Sequence, residues 1–212
     1  FETILTYFIA FLVYFIKKLL MMKNESLIIQ IQHILPMPAD KAILIAASFK
    51  ERILQKNDFL LKEGQVCNES HFIEQGYLRS FTYDTTGKEV STALYSPSMF
   101  ANDFLSFFKR MPSQEHVQAL TECKTWFISY EEVQANFHTI PEFREFGRML
   151  LINNHAMLKQ RMLSMIQKTA EQRYAHLMQN APHVFQHVPL KVIASYLGIT
   201  DSSLSRIRKD FR

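Results

Sequence analysis

Residues 189–212 read PLKVIASYLGITDSSLSRIRKDFR, and the rest of the chain is understood from them. An amphipathic segment over 190–197 stops at Gly198, and Thr200 opens a second one with apolar residues at Leu204 and Ile207. Counted from Leu190, the fourth, eighth, tenth, fifteenth and eighteenth positions hold Ile193, Leu197, Ile199, Leu204 and Ile207. That is the apolar set two short helices need when they cross at a tight turn. Ala194 stands where close approach demands a small side chain, and Gly198 where the backbone turns through positive φ. Thr200 is a good N-cap, its hydroxyl able to accept from an otherwise unpaired amide. The pattern predicts a helix, a tight turn and a second helix.

The face left over is polar. Asp201, Ser202, Ser205 and Arg206 lie off the Leu204/Ile207 stripe, with Arg206 one turn beyond Ser202. An arginine there suits guanine O6 and N7, a contact worth about 1–3 kcal/mol when bidentate. Thr200 and Ser203 are placed for phosphate oxygens, and Lys191, Arg208, Lys209 and Arg212 add screened attraction. The candidate DNA-binding set is therefore Thr200, Asp201, Ser202, Ser203, Ser205, Arg206 and Lys209.

At 212 residues the chain holds one large domain or two modest ones. A formal net charge of +4 permits a nucleic-acid partner without pointing to one, but residues 189–212 carry five cationic and two anionic side chains. With only Cys67 and Cys123, there is no disulfide framework, zinc spacing or iron–sulfur cysteine group. Reduced thiols in a cytoplasm are expected, with no metal and no cofactor.

Residues 3–16 carry no charge and are closed by Lys17 and Lys18. The run is shorter than the roughly 20 residues that span a bilayer. Three readings compete for 1–22: a short anchor, an apolar helix covering the body, or, favoured, read-through ahead of a start at Met21 or Met22. Helices are predicted from Asn24 to the Pro36/Pro38 break and over 39–50. Between 59 and 128 the period shortens. Strand-like runs over 59–61, 71–73, 77–83, 90–95 and 125–128, with a hairpin at Thr86-Gly87-Lys88, predict an antiparallel β-roll. A short helix over 100–108 interrupts it.

Ser129-Tyr130-Glu131-Glu132 is a capping box opening another helix, and Pro141 starts a long one to about Gln167. Along it Leu151, Leu158 and Met165 recur every seven residues, with Asn154 and Met162 between them, the mark of a dimer seam. Thr169-Ala170-Glu171-Gln172 caps a further helix, making 168–169 a candidate hinge. The class is α+β, divided as a sensor roll over 23–140, a dimerisation helix over 141–168 and a DNA-binding unit over 169–212.

This order of parts resembles the Crp/Fnr family of transcription regulators. The supporting phrases are Lys62-Glu63-Gly64, His71-Phe72-Ile73-Glu74-Gln75-Gly76, Gly87-Lys88-Glu89, Ile128-Ser129-Tyr130 and the 193–207 stretch. The resemblance implies a cyclic-nucleotide-binding-like sensor, a symmetric homodimer on double-stranded DNA with half-sites about 34 Å apart, and RNA polymerase as a partner if the protein activates. In members that bind cyclic AMP, a Gly-Glu pair holds the ribose and an Arg-Ser pair the phosphate. Here Ala101-Asn102 and Ser113-Gln114 stand in those places. Without a fixed cation a cyclic phosphate loses its charge-assisted contact, so cyclic AMP is not the expected effector. Any remaining pocket is expected between Phe100, Asn102, Asp103, Ser113 and Gln114 on one side and Asn154, Leu158 and Lys159 on the other.

Two alternatives differ in class. One is a ligand sensor acting through protein partners, its DNA unit degenerate, since Ser202 and Ser203 stand where longer base-reading side chains would serve better. The other is a cupin-like metal site around Gly64, His71, Glu74 and Gly76, which lacks a His-x-His pair. No nucleophile elbow, P-loop or paired-carboxylate pattern supports an enzyme. The mechanism expected is a population shift in how the long helices pair, rotating the terminal units into or out of matching half-sites.

Overall fold

The computed structural model describes residues 24–211, so the 1–22 leader, the reading of its start and Arg212 lie outside the described residues. Helices α1 (Glu25–Ile34) and α2 (Ala39–Ala46) come first. Their apolar stripes bury Leu27, Ile31, Ala42 and Ile45 completely. The second helix ends four residues earlier than expected. Lys50, Glu51 and Arg52, which read as a polar helix end, belong to strand β1 (Lys50–Leu54), paired from Lys50↔Phe127 to Leu54↔Cys123.

The roll continues through β2 (Phe59–Leu61), β3 (Glu69–Gln75), β4 (Leu78–Tyr83), β5 (Glu89–Tyr95), β6 (Phe100–Ala101), helix α3 (Phe104–Lys109), β7 (His116–Ala119) and β8 (Cys123–Ser129). Two four-stranded antiparallel sheets result, in the orders β1-β8-β3-β6 and β2-β7-β4-β5. The expected helix over 100–108 is corrected at its start. Phe100 and Ala101 pair with Phe72 and His71, and only after Asp103 caps the Ser106 amide at 3.0 Å does the chain turn helical. Strand β7 is not among the runs read from the sequence: its only apolar residues are Val117 and Ala119, which alternate inward between the polar His116 and Gln118. Gly76, at φ +92, has no room for a side chain: an added Cβ would lie 2.4 Å from Glu122 O.

Beyond the roll, α4 (Tyr130–Thr139) carries the full Ser129/Glu132 capping box, and α5 (Pro141–Gln167) runs unbroken for 27 residues, about 40 Å at 1.5 Å per residue. A ladder of rings joins strand to helix: Phe72–Phe100 at 5.3 Å, Phe100–Phe146 at 5.8 Å, Phe146–Phe143 at 6.3 Å and Phe143–Phe137 at 5.5 Å between centroids. Phe72, Phe100, Phe143 and Phe146 are buried and Phe137 partly so; a fully buried ring stabilises by about 1.5–3 kcal/mol, and together they fix the base of α5 on the roll.

The terminal unit comprises α6 (Ala170–Asn180), α7 (Val184–His187), α8 (Leu190–Tyr196) and α9 (Asp201–Asp210). Its core gathers Tyr174, Val184, Val188, Val192, Ile193, Ala194, Leu197, Leu204 and Ile207, together with Tyr77 and Leu120 from the roll. Among the described residues no helix is long and apolar enough to cross a membrane.

Candidate nucleic-acid interface and sensor cavities

The turn between α8 and α9 is built as its residues dictate. The Gly198 N–H donates to Ser195 O at 3.0 Å and the Ile199 N–H to Ala194 O at 3.0 Å, the paired closure that requires a left-handed residue, and Gly198 has φ +68. Thr200 then caps α9, its hydroxyl accepting from the Ser203 amide at 3.2 Å. Arg173 secures the far side, donating to Leu197 O at 3.0 Å and Lys168 O at 2.6 Å.

With Leu204 and Ile207 buried, Asp201, Ser202, Ser205, Arg206 and Lys209 all face outward, together with Thr200. Ser203 is the exception within the expected set: it is half-buried, and its hydroxyl lies 2.9 Å from that of Thr200, turned toward the cap rather than away from it. Near the base of α6, Glu171 is held below its ordinary carboxylate range by its own backbone amide and the Thr169 hydroxyl, with Arg206 adding to the effect. This carboxylate beside Arg206 had no signal in the sequence.

The expected seam residues Leu151, Leu158, Met162 and Met165 are all exposed, Leu158 by 65%, and Asn154 is half-buried among them. Ile152, Met157, Leu163 and Ile166 widen the apolar stripe. Met165 has a second role, since its Cε lies 2.6 Å from where a Cβ on Gly198 would fall.

The expected effector residues do not share one pocket. Phe100, Asn154 and Leu158 line a cavity of about 620 Å³ between β5, α5 and Tyr196 of α8. Asn102 instead lines one of about 490 Å³ with Leu61, Cys67, Glu69, His71 and Val117. Asp103 is consumed as the α3 cap and accepts from Ser113 Oγ at 2.7 Å, while Gln114 and Lys159 point to solvent. Phe100 and Asn102 meet only in a third, much smaller cavity of about 40 Å³, beside Phe107 and Val133.

Around these cavities the structure adds groups that spacing alone did not reveal. Burial pushes the Glu115 carboxyl above its ordinary value, with the Asp103 carboxylate reinforcing the shift and Arg161 opposing it. Tyr95 donates to or accepts from Ser80 Oγ at 3.0 Å, and burial raises its hydroxyl to about 12. His71 is fully buried, its ring nitrogens 3.2 Å from Thr125 Oγ1 and 3.1 Å from Glu69 Oε2. That hydrogen bond and the Arg52 guanidinium hold Glu69 at about 2, whereas burial pushes His71 below its ordinary value. Burial also raises both thiols, Cys67 and Cys123, away from the reactive thiolate form.

The cupin-like reading fails on geometry. Glu74 lies three residues from His71 and so on the other face of β3, where it accepts from Trp126 Nε1 at 2.5 Å and pairs with Lys124 at 3.1 Å. Among the described residues no three His, Cys, Asp or Glu side chains gather as metal ligands.

Residues 51–139 match the cyclic nucleotide-binding domain family. The transcriptional activator protein Anr of Pseudomonas protegens is 23% identical over 175 residues, covering 76% of this chain and 70% of its own. Electron transport regulator A of Shewanella oneidensis is 24% identical over 177 residues, covering 77% of this chain and 69% of its own. Among solved structures, FixK2 from Bradyrhizobium japonicum superposes with a TM-score of 0.65 at 15% identity, covering 76% of this chain and 83% of that one, a likeness of fold. A cyclic nucleotide-binding-type roll, a long connecting helix and a capped terminal helix pair follow one another here, and the relatives that match along three quarters of the chain are named as transcriptional regulators, so the chain is similar to regulators of the Crp/Fnr type.

Proposed function

We propose that this regulator reads DNA as a symmetric pair of copies joined along α5, each presenting α9 to the major groove, and that its sensor roll does not take cyclic AMP. The observation that carries the DNA reading is the division of α9: Leu204 and Ile207 lock it to its own core, while Asp201, Ser202, Ser205, Arg206 and Lys209 stand free of that core on one outward face. Arg206 reads a guanine edge, and Lys209 with Thr200 holds the phosphate backbone. Ser203 serves mainly the cap.

The pairing follows from the stripe on α5. Leu151, Leu158, Met162 and Ile166 leave a continuous apolar surface on a helix about 40 Å long, and a second copy of the same helix is its natural complement. On this reading residues 23–140 sense, 141–168 join the two copies and 169–212 read DNA, in the cytoplasm, without enzymatic activity; RNA polymerase is a further partner if the protein activates. The cyclic AMP exclusion has firmer support than the missing Arg-Ser pair. Asp103 sets a carboxylate 2.7 Å from Ser113 Oγ, where the resemblance would place a phosphate, and a phosphate diester there meets repulsion.

Selection from random duplexes by the purified protein, followed by titration, tests the reading. Arg206→Ala should weaken the selected site well beyond its effect on random DNA. Equal loss on both would deny Arg206 a base-reading role, and unchanged duplex mobility at low salt with a single-chain species in solution would overturn the whole proposal.

A further inference from the structure

Ser91 is where three parts of the chain meet. It lies in β5, an edge strand of its sheet, beside a bulge at Thr92 across which Ala93 pairs with Ser80 and Ser91 with Phe81. An edge strand presents unpaired backbone groups, and here α8 covers them. Ser195 Oγ accepts the Ser91 N–H at 2.8 Å and donates to Glu89 O at 3.3 Å, so one hydroxyl does the work of a neighbouring peptide group. Arg161, from α5, donates to Ser91 O at 3.3 Å and to Tyr196 O at 3.0 Å, with its guanidinium 3.8 Å from the Tyr196 ring centroid. Farther along, Tyr77 of the roll stacks on His187 at 4.9 Å. None of these contacts uses the outward face of α9.

We infer that Arg161 and Ser195 are positioning residues that lock the helix-turn-helix in one orientation on the β-roll. This rests on the DNA reading proposed above and supplies what that reading lacks. Two reading helices on loose tethers would find their half-sites independently, and affinity would depend only weakly on the spacing between them. Two helices held rigidly against their sensor domains accept one spacing and reject others. The clasp also gives the sensor a route to the DNA unit. Arg161 and Tyr196 both line the 620 Å³ cavity, as do Thr92 and Tyr95, so a molecule entering it touches the clasp on the roll side and the helix side together.

The test uses the full chain, with Arg161→Gln, Ser195→Ala and the double variant, and Ser195→Thr as the substitution that keeps a hydroxyl. Amide relaxation reads whether residues 170–211 tumble with the roll, and hydrogen exchange reads the Ser91 amide. In the unmodified chain both parts should share one correlation time. In the double variant the terminal unit should tumble faster and the Ser91 amide exchange about tenfold faster, in keeping with loss of one hydrogen bond. Ser195→Thr should retain the original exchange rate.

On DNA, affinity for an isolated half-site should be unchanged while an inserted base pair between half-sites becomes better tolerated. Unaltered tumbling and exchange in the double variant would overturn the inference, as would equal losses on half-site and full site. If the double variant does not fold, Arg161→Gln alone gives the same readouts. A chain that binds no DNA yet shows the tumbling change refutes the DNA reading and leaves the lock standing.

Discussion

Replacing Gly198 isolates the backbone requirement of the helix pair. At φ +68 an alanine is held in the left-handed region at a cost of about 1–2 kcal/mol, offset in part by the lower entropy of its unfolded chain, about 0.4–1 kcal/mol. The new Cβ also meets Met165 Cε at 2.6 Å, but the tip of an exposed methionine can move aside. A net loss of about 1 kcal/mol is therefore expected for Gly198→Ala. Gly198→Asn adds a Cβ at the same point but tolerates the left-handed region better, so it should cost less than alanine. Met165→Ala in the alanine background should recover little. Urea denaturation followed through hydrogen exchange over residues 190–210 measures all three. Equal costs for alanine and asparagine, or full recovery on trimming Met165, would refute the backbone argument.

Acid should unfold the roll in two stages. As pH falls through the ordinary histidine value of 6.5 the unfolded chain takes up a proton that buried His71 resists, so stability declines from there. Glu69 has a depressed carboxyl, at about 2 against an ordinary 4.5; its contribution is complete above 4.5 and is lost as pH falls toward 2. On the order of 3 kcal/mol is at stake in that second window. Glu69→Gln should flatten it and His71→Gln the upper one, and acid titrations superimposable on the unmodified protein would argue against both. Leu158→Glu, at a position 65% exposed, should leave chain stability within about 0.5 kcal/mol while abolishing pairing in sedimentation; a persistent dimer would remove α5 as the seam. Calorimetry should detect no binding of cyclic AMP, and micromolar affinity would show that Asp103 beside Ser113 does not close the site.

Where a structural requirement is local, the residues announce it. Gly198, Thr200 and the Ser129 and Thr169 capping boxes stand where side chain and backbone meet within a few residues, and each was legible before any fold was known. The alternation of 71–73 and 90–95 likewise revealed strands. What stayed hidden depends on partners distant in the chain. Lys50 to Arg52 becomes a strand only because residues 125–127 lie beside it, and Phe100 leaves the helix because Phe72 pairs with it. The candidate site follows the same division. The outward face of α9 could be counted off, whereas Glu115 near Asp103, and Arg161 spanning to Tyr196, arise from contacts no spacing encodes. For that reason the expected pocket, assembled from the positions that the resemblance assigns, separates into different cavities.

The lone tryptophan offers a practical dividend. Trp126 sits in the middle of β8, its indole N–H given to Glu74 and Lys124 positioned 5.5 Å from its ring. Its emission is therefore a private optical signal of the roll, blind to the helices that follow residue 169. Heated or titrated, the protein should show a fluorescence transition for its front portion and a separate ellipticity transition for its helical tail whenever the two melt apart. Coincidence of the two curves, read in a single cuvette, would show the chain giving way as one cooperative body.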